Sequence, residues 1–158
     1  MKSSLPAAEA AAAPRPAAPS RSSYRRFSRI DTRWMDNDVY GHVNNVVYYS
    51  FFDSVINRWL IEAGALDIHT GAVIGLVVET HCNYFAPLAF PQSVEAGLRV
   101  AQAGRSSVRY EVGLFAEDEP LAAAAGHFVH VYVERAGRRP VDLPPSLVNA
   151  LSPLLPTA

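Results

Sequence analysis

From Tyr48 onward the apolar residues fall at Tyr48, Phe51, Phe52, Val55, Ile56, Trp59, Leu60 and Ala63. That spacing of three and four places all of them on one face of an α-helix. Asn44 or Asn45 can cap its start, and Gly64 stands where a helix stop belongs. Val46, Val47, Tyr49 and Ile61 add apolar groups beside the stripe, which predicts a helix enclosed on more than one side. A helix of about 19 residues spans roughly 28 Å. A long helix this apolar needs a large surface to lie against.

The rest of the chain supplies one. Residues 24–34 read as a first, weakly alternating strand. After the helix come β-rich segments at 73–85, 93–101, 107–116 and 121–134. Val94, Ala96, Leu98 and Val100 share one face of the third strand; Val108, Tyr110, Val112 and Leu114 share one face of the fourth. Short turns at 103–106 and 117–120 join consecutive strands, so the sheet is antiparallel. The C-terminal stretch after Asp142 reads as a loop with one short helical turn. The expected fold is α+β: a five-stranded antiparallel sheet curled around one long helix. Its other face is left to solvent or to a second subunit.

Composition narrows the function classes. The chain has 158 residues, which suits one domain. A formal charge of −1 gives no nucleic-acid footprint, and no apolar run reaches the length of a membrane span. Cys82 is the single cysteine, so no internal disulfide can form and a cytoplasmic setting is expected. It reads as a packed small hydrophobe. Residues 1–22 are rich in Ala, Pro and Ser, and Pro6, Glu9, Pro14 and Arg15 interrupt any signal-peptide core. They read as a disordered tail ahead of a domain spanning 23–158.

The segment Trp34–Asp53 crowds polar residues against the helix start. Asp36 and Asp38 can act simply as turn or cap residues. A calcium loop fails at Tyr40 and Val47, and the histidines show no zinc spacing; His127 and His130, three apart on a strand, face opposite ways. No metal is expected. A third reading is catalytic. A helix start offers unpaired N–H groups and a partial positive charge that can stabilise an oxyanion. Asp38 can fold back over that end as nucleophile or general base, with Gly41 making the turn.

The pattern D-x-D-x-x-G-H-V-N-N-x-x-Y, filled by Asp36, Asp38, Gly41, His42, Val43, Asn44, Asn45 and Tyr48, resembles the hot-dog fold acyl-CoA thioesterases of the 4-hydroxybenzoyl-CoA thioesterase family, in the branch of acyl-CoA thioester hydrolases. The likeness extends from about Phe27 to Leu151. It implies hydrolysis of an acyl-CoA to free acid and coenzyme A, with Asp38 as the catalytic carboxylate. It further implies that the backbone N–H of Asn45 polarises the thioester carbonyl, and that Tyr48 and Asp53 lie farther along the helix near the site. Gly41, His42 and Asn44 would shape the loop. Arg105 and Ser106 fall where the family meets the nucleotide end of coenzyme A; their alternative is a solvated turn. Glu79 is a further carboxylate candidate, with a surface or interface salt bridge as its alternative. No cofactor is implied, since coenzyme A belongs to the substrate. The resemblance also implies a homodimer or homotetramer. Two rival functions are an acyl-CoA or acyl-carrier binder without turnover, and a hot-dog hydratase or dehydratase.

Overall fold

The computed structural model describes residues 14–157. Five strands form one antiparallel sheet: β1 (Arg26–Asp31), β2 (Val73–Tyr84), β3 (Ser93–Ala103), β4 (Ser107–Ala116) and β5 (Ala124–Glu134). Their order across the sheet is β1-β3-β4-β5-β2, so β1 and β2 are the edges. The long helix α1 (Asn45–Glu62) lies on one face, and a short helix α2 (Pro145–Leu151) follows the last strand.

Much of the core consists of residues whose periodicity predicted it. Tyr48, Phe51, Phe52, Val55, Ile56, Trp59 and Leu60 are buried on α1. They meet Val94, Ala96, Leu98 and Val100 of β3 and Val108, Tyr110, Val112 and Leu114 of β4, with Leu147, Leu151 and Leu154 closing one end. Each large side chain buried this way stabilises the fold by about 1.5–3 kcal/mol. Ala63, at the end of the predicted stripe, is exposed. So are Val46 and Ile61, at 63% and 58%, whereas Val47 and Tyr49 are half-buried. Within one chain α1 is therefore covered along one stripe only.

Three boundaries differ from the sequence expectation. The first strand is shorter, because the backbone beyond Asp31 leaves the sheet to build the polar loop. The last strand starts at Ala124; Leu121 instead bridges Ser20. The domain also begins earlier than residue 23. Pro19 O accepts from Ala122 N at 2.9 Å, and Arg21 N donates to Pro120 O at 2.9 Å. The Arg21 guanidinium pairs with Glu95 at 2.5 Å and sits over the rings of Phe27 and Phe115. Tyr24 follows, 6% exposed, its ring edge-on to Phe115. A Cβ on Gly113 would come within 2.5 Å of that ring, so only glycine lets Tyr24 lie there. Residues 19–24 thus strap the sheet face opposite α1, which removes residues 19–22 from the expected disordered tail. Residues 1–13 lie outside the described chain.

A bulge in β2 decides which residues look toward α1. Val77 pairs with His130, yet Glu79 pairs with Val129 and Thr80 with Phe128. One extra residue resets the alternation. Thr80, Cys82 and Tyr84 then face the helix side, and Glu79 and His81 face the opposite side. Among the described residues the outer edge of β2 has no strand beside it.

Candidate active site

The loop Thr32–Asn44 is braced from within by one buried acid. Asp36 is 1% exposed. Its carboxylate accepts from the Arg33 backbone N–H at 2.7 Å and from the Arg33 guanidinium at 2.8 Å, and its carbonyl accepts from Asn44 N at 2.8 Å. It has a bracing role and is not open to a substrate. Asn37 Oδ1 accepts from Phe90 N at 3.0 Å, and Val43 N donates to Leu88 O at 2.7 Å, which ties the loop to the segment ahead of β3.

Between these anchors the chain turns sharply. Asp38 N donates to His42 O at 2.9 Å, Gly41 N to Asp38 O at 3.1 Å, and Tyr40 N to Asp38 Oδ1 at 2.8 Å. Gly41 has φ +82°, a conformation that glycine adopts without strain. Asp38 is half-buried. One carboxylate oxygen is fixed by Tyr40 N, and the bond leaves Oδ2 for chemistry.

The helix start is arranged to leave one donor open. Asn44 is the N-cap, its Oδ1 accepting from Val46 N at 3.1 Å while its carbonyl accepts from Val47 N at 2.9 Å. Among the described residues the Asn45 N–H has no such partner. The Tyr84 hydroxyl donates to Asn45 O at 3.0 Å, and the rings of Tyr84 and Tyr48 meet edge-on at 5.0 Å. Burial raises the Tyr48 phenol above its ordinary pKa, with the Leu88 backbone opposing. Burial likewise raises Tyr84. Both stay protonated at neutral pH.

Asp38, His42, Val43, Asn45, Tyr48 and Tyr84 line one concavity of about 450 Å³, with Tyr40 and the Phe85–Pro87 segment completing its rim. A carboxylate oxygen, a helix-terminal N–H and an apolar wall thus share one space. This is the arrangement needed to attack a carbonyl and hold the resulting oxyanion.

The remaining candidates lie elsewhere in the chain. Glu79 faces away from α1 and bonds His127 Nε2 at 2.6 Å, while Arg109 donates to His127 Nδ1 at 2.9 Å. Arg105 and Ser106 sit at the β3–β4 turn, and Arg105 pairs with Asp142 at 2.6 Å. That turn is at the opposite end of the sheet from Asp38, because β4, about 33 Å long, runs between the two ends. Asp53 is exposed two turns into α1 and accepts from Asn57 at 3.0 Å. Within one chain the structure brings together Asp38, Gly41, His42, Asn44, Asn45 and Tyr48, but not Glu79, Arg105 or Ser106. Burial pushes the Cys82 thiol up to about 11, so it is no thiolate nucleophile at neutral pH. Among the described residues no group of His, Cys, Asp and Glu could hold a metal ion. No helix there is long and apolar enough to cross a membrane.

Sequence reasoning missed Tyr84, Phe85 and Pro87 as site residues. The bulge that aims Tyr84 at the helix start leaves no mark in the alternation pattern. Pro87, which ends the strand, was the one available signal that the chain turns toward the loop there.

Comparison with known proteins bears on the family and the fold. Residues 32–151 match the thioesterase-like superfamily. The structure superposes on the PA5185 protein from Pseudomonas aeruginosa strain PAO1 with a TM-score of 0.86 at 58% identity, over 89% of this chain and 99% of that one. A 1,4-dihydroxy-2-naphthoyl-CoA thioesterase from Synechocystis shares the fold at 17% identity, with a TM-score of 0.73 over 80% of this chain and 94% of that one. A DHNA-CoA thioesterase from Staphylococcus aureus does so at 21% identity, with a TM-score of 0.72 over 80% and 87%. With the family matched across most of its length and the sheet wrapped on one long helix as in these structures, the chain belongs to the thioesterase-like superfamily, as a hot-dog fold thioesterase.

Proposed function

We propose that the protein hydrolyses acyl-CoA thioesters to a free acid and coenzyme A at the N-terminal end of α1. The observation that carries this reading is the pairing of the open Asn45 N–H with the available oxygen of Asp38 in one concavity. The thioester carbonyl oxygen accepts from Asn45 N–H, at the positive end of the helix dipole. Asp38 then works by one of two routes. As nucleophile, its oxygen bonds the carbonyl carbon, the coenzyme A thiolate departs and water cleaves the anhydride. As general base, it takes a proton from water, whose oxygen attacks the same carbon; the C–S bond then breaks and the coenzyme A thiolate leaves, taking up the proton. Both routes need an ionised carboxylate at this position. Val43, Tyr48, Tyr84 and Phe85 offer the apolar wall against which the acyl group and thioester pack.

The free edge of β2 supports a dimer. Leu76, Val77, Val78 and Tyr84 on this strand are 36–61% exposed. A long apolar edge is a pairing surface. Antiparallel pairing of two β2 edges about a two-fold axis inverts one sheet relative to the other. The Arg105–Ser106 end of one subunit then lies at the Asp38 end of its partner, where the nucleotide of coenzyme A can meet it. The uncovered flank of α1, with Val46, would be shielded by the same association.

The test is a panel of short, long, branched and aryl acyl-CoAs, with an enoyl-CoA included and thiol release measured. Hydrolysis of at least one acyl group is expected. Binding without thiol release would leave a ligand-binding protein. Consumption of the enoyl-CoA without thiol release would make it a hydratase.

A further inference from the structure

The first turn of α1 carries the donor that the reaction needs, and helix ends are where a helix frays. Two peptide planes meet at the Asn45 Cα. The plane before it bears the Asn45 N–H, and its carbonyl, Asn44 O, accepts from Val47 N at 2.9 Å. The plane after it bears the Val46 N–H, which donates to Asn44 Oδ1 at 3.1 Å. These two bonds lie within the turn and move with it. The carbonyl of the second plane is held from outside, since the Tyr84 hydroxyl donates to Asn45 O at 3.0 Å. Among the described residues no other hydrogen bond joins the turn Asn45–Tyr48 to a strand of the sheet.

The bulge in β2 makes this bond possible. Without the extra residue between Val77 and Glu79, Tyr84 would face the other side of the sheet. With it, the ring lies edge-on to Tyr48 at 5.0 Å. A phenylalanine would build the same wall, so the hydroxyl is what tyrosine adds. An oxyanion donor works by being aimed before the reaction starts. A small rotation of the first turn moves the N–H off the carbonyl oxygen, and about 1 Å of misplacement can cost on the order of 10²-fold in rate. The Tyr84 bond opposes that rotation, because it ties the turn to β2.

We propose that Tyr84 is a positioning residue for thioester hydrolysis: by holding the Asn45 carbonyl to β2, its hydroxyl keeps the Asn45 N–H aimed at the oxygen on which charge develops. This rests on the acyl-CoA reading given above. The ring belongs to the wall against which the acyl group packs; the hydroxyl acts through Asn45.

The test compares wild type, Tyr84→Phe, Asn45→Pro and the double variant in the full chain, on an acyl-CoA that wild type hydrolyses. Tyr84→Phe keeps the wall and loses one hydrogen bond. Its kcat should fall about fivefold, the scale of one such bond, with KM and the melting temperature near wild-type values. Asn45→Pro has no N–H left to aim. In that background Tyr84→Phe should lower kcat no further, a non-additivity that a merely structural hydroxyl would not give. Wild-type kcat in folded Tyr84→Phe overturns the assignment, as does a rise in KM alone or the same fold-loss in both backgrounds; each leaves the hydrolase reading intact. Should Tyr84→Phe melt well below wild type, the same cycle decides. A loss confined to the background that keeps the N–H supports positioning, and an equal loss in both overturns it. No thiol release by wild type from any thioester defeats the hydrolase reading, and the positioning role with it.

Discussion

Asn45→Pro is expected to remove the oxyanion donor while leaving the helix in place. Asn45 is the first residue of α1. Proline is favoured there because its fixed φ suits a helix and the missing N–H has no intrahelical acceptor to lose. The preceding residue must be extended, and Asn44 has φ −61° and ψ 138°. The Asn44 cap to Val46 N and the Tyr84 bond to Asn45 O both involve atoms that proline leaves in place. The substitution therefore deletes the backbone N–H, together with the Asn45 side chain, and leaves these contacts in place. Loss of one oxyanion donor lowers kcat by about 10²–10³-fold, or roughly 3–4 kcal/mol of transition-state stabilisation. Asn45→Ala keeps the N–H and should retain most activity, which separates the backbone from the side chain. Steady-state thiol release, with circular dichroism to confirm folding, reads both variants. A folded Asn45→Pro enzyme with near wild-type kcat would refute the placement of the carbonyl.

Other expectations follow from the packing. Truncation to start at Pro19 should preserve the melting temperature, whereas truncation to start at Ser23 removes the Arg21 contacts and should lower it by several degrees, as thermal melts would show. Burial beside Tyr110, Phe128 and Tyr132 lowers the His130 pKa to about 4. Its neutral form is favoured by the fold, so this stability is present above about pH 6.5 and is lost as pH falls toward 4, by about 3 kcal/mol at most. Urea titrations across that window should show the loss, and His130→Leu should flatten it. If β2 edges pair, specific activity should fall on dilution below the dimer dissociation constant; sedimentation showing a fully active monomer would contradict the shared site.

The parts of this fold that were legible in the sequence are those set by burial on one face. The helical stripe from Tyr48 to Leu60 and the alternations in β3 and β4 mark the core, because each has an apolar side and a wet side. The polar loop was legible too, since capping at Asn44 and the turn at Gly41 depend on residue chemistry close in sequence. What escaped depended on contacts distant in sequence. The β2 bulge reverses the facing of Glu79 and Tyr84 without changing composition. The strap at residues 19–24 is built from arginine and tyrosine contacts to β3, β4 and the β4–β5 turn, and its residues 19–22 belong to a segment whose composition reads as tail. Motif position alone drew Arg105 and Ser106 toward Asp38, and strand length separates them within one chain.

The central claim is that the Asp38 carboxylate drives thioester hydrolysis. Asp38→Asn keeps the side-chain oxygen that accepts from Tyr40 N, yet the amide can neither attack nor take a proton. The deciding measurement is kcat for thiol release from an acyl-CoA that wild type hydrolyses, made on the folded variant with its affinity for coenzyme A measured alongside. Unchanged affinity and a fall in kcat of about 10²–10⁴-fold are predicted. A folded Asp38→Asn enzyme that turns over at close to the wild-type rate would contradict the account.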